Sequence, residues 1–165
     1  MVILGIDLGI AEMGWGVVQT QKSRGKNKKR RIKYVNHGVI KTLPTDPLSE
    51  RLWTIKSEIE RLLTGYDVEE VAVERIVFNI NRKTAIIVAK VHGAVLVAAG
   101  KCRVPTYEYN ALKAKRLLTG YGRADKKLVQ LELKKKFRLK KYPTPVHAAD
   151  ALAIACCHIM KDDEA

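Results

Sequence analysis

The chain has no run of eighteen uninterrupted apolar residues and no basic segment leading into a short apolar stretch with a cleavage site. Neither a membrane span nor a secretion signal is therefore expected. Cysteine is scarce: Cys102, Cys156 and Cys157 make an odd count without framework spacing, which argues against a disulfide scaffold and fits a reducing cytoplasm. Cys156, Cys157 and His158 are consecutive in what patterns as an apolar helix. Such neighbours point in different directions, so small core fillers are favoured over a shared metal. Acidic residues are few as well, 17 against 31 Lys and Arg, and the formal charge of +14 repels itself unless the protein lies against something anionic. Nucleic acid is the favoured surface, although a ribosomal or membrane-surface protein shares such a charge. No internal repeat is evident. At 165 residues and 47% hydrophobic the chain can bury one core and not two, so residues 1–165 are expected to form a single domain.

Apolar patterning predicts strands over Val2–Ile6, Gly14–Val18 and Ile32–Ile40, joined as an antiparallel set. The second connection carries Lys22, Arg24, Lys26, Lys28, Lys29, Arg30 and Arg31 with little to bury, which suits a solvated hairpin tip or a contact with phosphates. Asp46-Pro47 is expected to cap a helix in which Leu48, Leu52, Ile55, Ile59 and Leu62 recur up to Gly65. A strand at Val71–Val73, a helix over Thr84–Ala99 and a fifth strand at Val104–Tyr107 follow. Helices at Ala111–Leu118, Lys126–Phe137 and Val146–Met160 finish the chain, the last with Thr144-Pro145 as cap and first turn. The expected fold class is α/β, a five-stranded mixed sheet (three antiparallel strands, two parallel) with helices on both faces.

Four polar residues interrupt this apolar pattern. Asp7 stands among Ile3, Leu4, Ile6 and Leu8, where an unpartnered carboxylate costs on the order of several kcal/mol. Glu74 ends the apolar strand at the carboxyl edge, where active sites in such sheets gather. His147 and Asp150, three apart at the start of the last helix, share one face. Singly, each has a plain reading as a turn, strand-end or first-turn residue. Jointly, they explain why two apolar strands and one apolar helix each spend a position on a hard-metal ligand. Paired divalent ions so held suit phosphodiester hydrolysis, and the imidazole favours Mn2+ somewhat over an all-oxygen set.

These residues resemble the RuvC family of Holliday junction resolvases, within the ribonuclease H-like superfamily, from Val2 to about Met160. The resemblance rests on GIDLG around Asp7, AVER at Glu74, YEYNALKAKRLLTGYGRADK and HAADALAIA, in the family's order. It implies that Asp7, Glu74, His147 and Asp150 are catalytic and bind two Mg2+ or Mn2+ ions, with histidine at a position that is aspartate or histidine across the family. It also implies DNA contacts by Lys115 and Lys126, with Gly120 and Gly122 letting backbone approach the strand, and by Arg75, Arg82, Lys83, Arg116 and Arg123. An aromatic follows the strand-end glutamate in the family; here Val77 takes that register and Phe78 is the best stacking candidate. The implied protein is a homodimer that resolves four-way junctions by paired symmetric nicks with 5′-phosphates, in the cytoplasm of a bacterium or phage-infected host. Whether a branch-migration motor cooperates is left open. The helix through Ile86, Ile87, Val88, Val91, Val95, Leu96 and Val97 is the expected dimer interface.

Two other readings remain. A non-catalytic branched nucleic acid binder would share the charge without needing the acidic set. Actin-like ATPases and sugar kinases share the GIDLG strand, but their second phosphate-binding lobe does not fit in 165 residues.

Overall fold

The computed structural model of the protein describes residues 1–21, 31–76 and 82–161, with backbone alone at 82, 83 and 161. The described elements are β1 (Val2–Asp7), β2 (Glu12–Gln21), β3 (Arg31–Lys41), α1 (Leu48–Gly65), β4 (Glu70–Glu74), α2 (Arg82–Lys101), β5 (Thr106–Tyr109), α3 (Ala111–Thr119), α4 (Lys126–Phe137) and α5 (Val146–Lys161). They form one sheet in the order β3-β2-β1-β4-β5. The first three strands are antiparallel, while β4 runs parallel to β1 and β5 parallel to β4. This is the mixed sheet, three antiparallel strands and two parallel, that the sequence predicts.

β1 is apolar almost throughout because helices cover both of its faces. Leu4 and Ile6 belong to a core with Ile55 and Ile59 of α1 and Val91 and Val95 of α2. Ile3 points the other way, into a core built on α5 with Val129 and Leu133 of α4 and Ala114 of α3. By strand alternation Asp7 faces the α5 side.

Small residues let α5 lie close to the sheet. A Cβ on Gly14 would sit 2.0 Å from the carbonyl oxygen of His147, and one on Gly5 would sit 2.1 Å from that of Ala151. The helix answers with Ala148, Ala149, Ala151, Ala153 and Ala155, all buried. The fit is backbone against backbone, and it fixes where His147 and Asp150 stand.

Most ends differ from expectation by a few residues; two helix caps and one strand start differ for a reason the structure shows. α1 starts at Leu48 with Pro47 as its boundary residue (φ −54°, ψ 143°) and no side-chain cap. Asp46 instead donates its backbone N–H to Leu43 in the preceding turn. α5 starts at Val146 after a cis Thr144–Pro145 bond, so Thr144 is not its cap; the Pro145 carbonyl accepts from the N–H groups of Ala148 and Ala149. β5 begins at Thr106, because the Val104 N–H turns back to the Ala99 carbonyl to close α2. The basic segment 22–31 lies outside the described residues apart from Arg31.

Within α2, Thr84–Lys101 is long and apolar enough to cross a membrane by length and composition alone. Here it packs against α1, with Val91, Val95, Ala98 and Ala99 fully or almost fully buried.

Candidate active site

The carboxyl ends of β1 and β4 lie side by side, because Ile6 pairs with Val73 in parallel register and the next residues are Asp7 and Glu74. α5 crosses above them on its glycine floor and brings in His147 and Asp150. All four line a single cavity of about 160 Å³, with Lys115 and Ala114 of α3 closing one wall. Asp7 is 8% exposed. Its Oδ2 lies 2.7 Å from Nδ1 of His147, across 140 residues of sequence. It is also hydrogen-bonded to Glu74.

Burial raises the proton affinity of two carboxyls here, Glu74 and Asp150. Glu74 is pushed up to about 8, by burial first, then by its hydrogen bond with Asp7 and the charges of Asp7 and Asp150, with Lys115 opposing. Asp150 is raised as well, by burial and then by Asp7, against the pull of Lys115, Lys126 and His147. Three carboxyls share one small space without enough positive charge to balance them. Among the described residues no three His, Cys, Asp or Glu side chains surround one point in ligand geometry; in this arrangement the donors are spent on one another. The chemistry of the set still fits a divalent cation, which would supply the missing positive charge. Oxygen donors predominate, with one imidazole beside them, and rotations that break the mutual hydrogen bonds free them as ligands.

Lys115 reaches the cavity, and Lys126, at the start of α4, is near enough to Asp150 to lower its pKa. Arg116 and Arg123 are exposed outside the cavity wall. Arg75, next to Glu74, is exposed too, its Nε 3.7 Å from Glu108. Gly120 caps α3 in the left-handed region (φ 80°), which favours glycine, and a Cβ on Gly122 would crowd the Leu112 carbonyl at 3.2 Å. Val77, Phe78 and the side chains of Arg82 and Lys83 lie outside the described residues.

Two features escape a reading of the sequence. A second cleft of about 440 Å³ shares His147 as a wall and runs between the β1–β2 turn (Leu8 to Glu12) and Thr84, Ile87 and Val88 of α2. No local pattern signals it, since it exists only where distant segments meet. His158 is the other: it is buried, it hydrogen-bonds the Tyr109 hydroxyl at 2.7 Å, and it pairs through Nε2 with Glu70. A polar residue late in an apolar helix is the signal that could have found it. Its neighbour Cys156 is a core filler as expected, its thiol pushed up to about 12 by burial.

The family model for crossover junction endodeoxyribonuclease RuvC matches residues 3–158. The chain is similar to the crossover junction endodeoxyribonuclease RuvC of Rubrobacter xylanophilus, 43% identical over 95% of this chain and 84% of that one. The structure is similar to Thermus thermophilus RuvC, with a TM-score of 0.86 and 37% identity over 99% of this chain and 96% of that one. It is equally similar, at a TM-score of 0.86 and 34% identity over the same shares, to T. thermophilus RuvC in complex with a Holliday junction substrate.

Proposed function

The chain belongs to the RuvC family of crossover junction endodeoxyribonucleases, and from that premise we propose that Asp7, Glu74, His147 and Asp150 hold the metal with which it cuts four-way DNA junctions. It is a structure-selective DNA endonuclease that resolves Holliday junctions by hydrolysing phosphodiesters. The observation that carries the site assignment is Asp7, bonded at once to His147 and Glu74 inside a cavity that Asp150 also lines. A non-catalytic binder has no use for three carboxyls in such a space.

On this reading the ions are Mg2+ or Mn2+, two per site; when bound they activate water and offset charge on the attacked phosphate and the departing oxygen. Asp7, central to the cluster, would hold the metal together with its neighbours. Glu74 and Asp150 flank it, and both give up protons more readily once cations replace the missing positive charge. His147, with its side chain 46% exposed, stands on the solvent side of Asp7, where substrate arrives. Lys115 and Lys126 draw the scissile phosphate towards the carboxylates and keep it there. The product is a pair of symmetric nicks bearing 5′-phosphates, made in the cytoplasm, where bacterial or phage DNA lies.

Residues 1–165 act as one nuclease domain, and the exposed apolar face of α2, with Ile86 and Val97 more than half exposed, supports a homodimer on a nearly two-fold junction.

Asp7→Asn tests the assignment. With a four-way junction and Mg2+ or Mn2+, cleavage should fall by about 10³-fold or more, while binding measured without divalent metal stays the same or tightens. Residual cutting within about tenfold of wild type would remove Asp7 from its role.

A further inference from the structure

We propose that the end of the sheet opposite the active site carries a second nucleic-acid contact, a basic cleft between β3 and the end of α4 that holds the phosphate backbone of a duplex arm. The cleft measures about 410 Å³ and its lining includes Arg31, Lys33, Lys136 and Arg138, with Tyr34 and Phe137 between them. This inference rests on the junction-cutting function above and extends the DNA surface beyond the residues assigned there.

Unpaired charge is the first argument. Some exposed cations of the described surface pair with carboxylates, Lys41 with Glu12, Arg61 with Glu58, Lys101 with Glu60 and Lys135 with Glu132, and others, such as Lys90, Arg103 and Lys140, stand singly in solvent; the cleft differs in gathering four unpaired cations into one concavity. Among the described residues Arg31, Lys33, Lys136 and Arg138 have no such partner, and no carboxylate lines the cleft. A helix C-terminus attracts cations, which accounts for Lys136 in the last turn of α4. It does not account for Arg31 and Lys33, which come from a strand. Four like charges gathered in a concavity repel one another unless an anion lies there.

The kind of anion follows from what the cleft lacks. Protein interfaces centre on buried aromatic and apolar anchors and are depleted in lysine. Here Tyr34 and Phe137 are turned to each other, ring centroids 5.8 Å apart, and pack on the core beneath. That leaves charged ends above a pair of tilted rings turned to the core, the character of a phosphate-positioning surface.

Continuity with the active site is the third argument. From Gly14, the partner of Asp7, to Gln21, the partner of Arg31, β2 advances seven residues, or roughly 23 Å. α4 runs the same way, from Lys126 near Asp150 to Phe137 at the cleft, eleven residues on, or roughly 16 Å. At about 3.4 Å per base pair, an arm leaving the active site reaches the cleft after about 5–7 base pairs.

The test compares R31Q/K33Q and K136Q/R138Q with R61Q/K101Q, which removes two paired cations from α1 and α2. Binding of a four-way junction is followed by fluorescence anisotropy without divalent metal as salt rises, with thermal melts to establish that each variant is folded. Each cleft variant should bind about five- to tenfold more weakly, with a salt slope lower by about 1–2, since each lost phosphate contact contributes about 0.9. The α1–α2 variant should match wild type. Methylphosphonates placed about 5–7 base pairs from the crossover should reproduce the loss in wild type and add nothing in K136Q/R138Q. Unchanged slopes in both cleft variants, or an equal loss in the α1–α2 variant, would overturn the proposal. Wild-type cleavage of the same junction scores the active site separately, because the binding measurement needs no metal.

Discussion

α2 and α5 are both apolar for most of their length, yet the fold uses them in opposite ways. Every α5 residue from Ala148 to Ile159 is buried except Asp150, which faces the cavity. α2 buries Val91, Val95, Ala98 and Ala99 and leaves Ile86 at 56%, Leu96 at 45% and Val97 at 63% exposure. The difference lies in side-chain size and in what each helix meets. Alanines on a glycine floor let α5 approach the sheet on backbone contacts, so its few polar residues are placed tightly. Larger residues on α2 reach the core from one face and leave the other exposed, the face proposed above to meet a second copy. Hydrophobicity says that a helix is covered; it does not say by what.

Three experiments probe this contrast, beginning with the strongest effect. Gly14→Val drives a side chain into the His147 carbonyl, where even a Cβ would be 2.0 Å away. It should lower stability by about 3 kcal/mol or more, roughly 6–12 °C in Tm, and should abolish cleavage by lifting α5. Gly100→Ala in α2, where an added Cβ meets nothing within 4 Å, should instead gain about 0.5–1 kcal/mol. Calorimetry of the pair decides whether close approach is peculiar to α5; equal effects would undo that claim.

Next in size, L96E/V97E puts two charges on the open face of α2. Sedimentation should show a dimer dissociating with a constant at least about 100-fold weaker, and a Tm that hardly changes when measured on monomer. An unchanged dimer would mean that this face is not the interface.

The smallest effect concerns the polar end of α5. Glu74 beneath it is raised from an ordinary 4.5 to about 8. A carboxyl raised by folding contributes stability that is complete below its unfolded pKa and is lost as pH climbs through the folded one. Metal-free protein should therefore melt lower at pH 9 than at pH 5, by on the order of 1–2 kcal/mol, with Asp150 acting in the same direction. Glu74→Gln should flatten that slope, and added Mn2+ should reverse it while releasing protons. A slope unaffected by the substitution would place the titration elsewhere.

Much of this was legible beforehand because the relevant signals are local. Period-two and helical spacing placed the strands and helices, and Asp7 and Glu74 stood out because carboxylates at such apolar positions need a partner. Boundaries slipped where a turn competed with a pattern, as at Asp46-Pro47 and at Val104, whose N–H returns to α2. The sequence marks His158 as a polar residue in an apolar helix but not its partners, because nothing near it announces Tyr109 and Glu70.

By itself the sequence determined which residues could serve as ligands, which segments had to be buried, and that the surface would be strongly cationic; each follows from residue type and spacing along the chain. Packing alone put Gly5 and Gly14 beneath α5 as its floor, gave Asp7 both His147 and Glu74 as partners, and set Arg31 and Lys136 along one cleft. Those are distances between segments far apart in the chain, and packing sets them after local patterning has done its part.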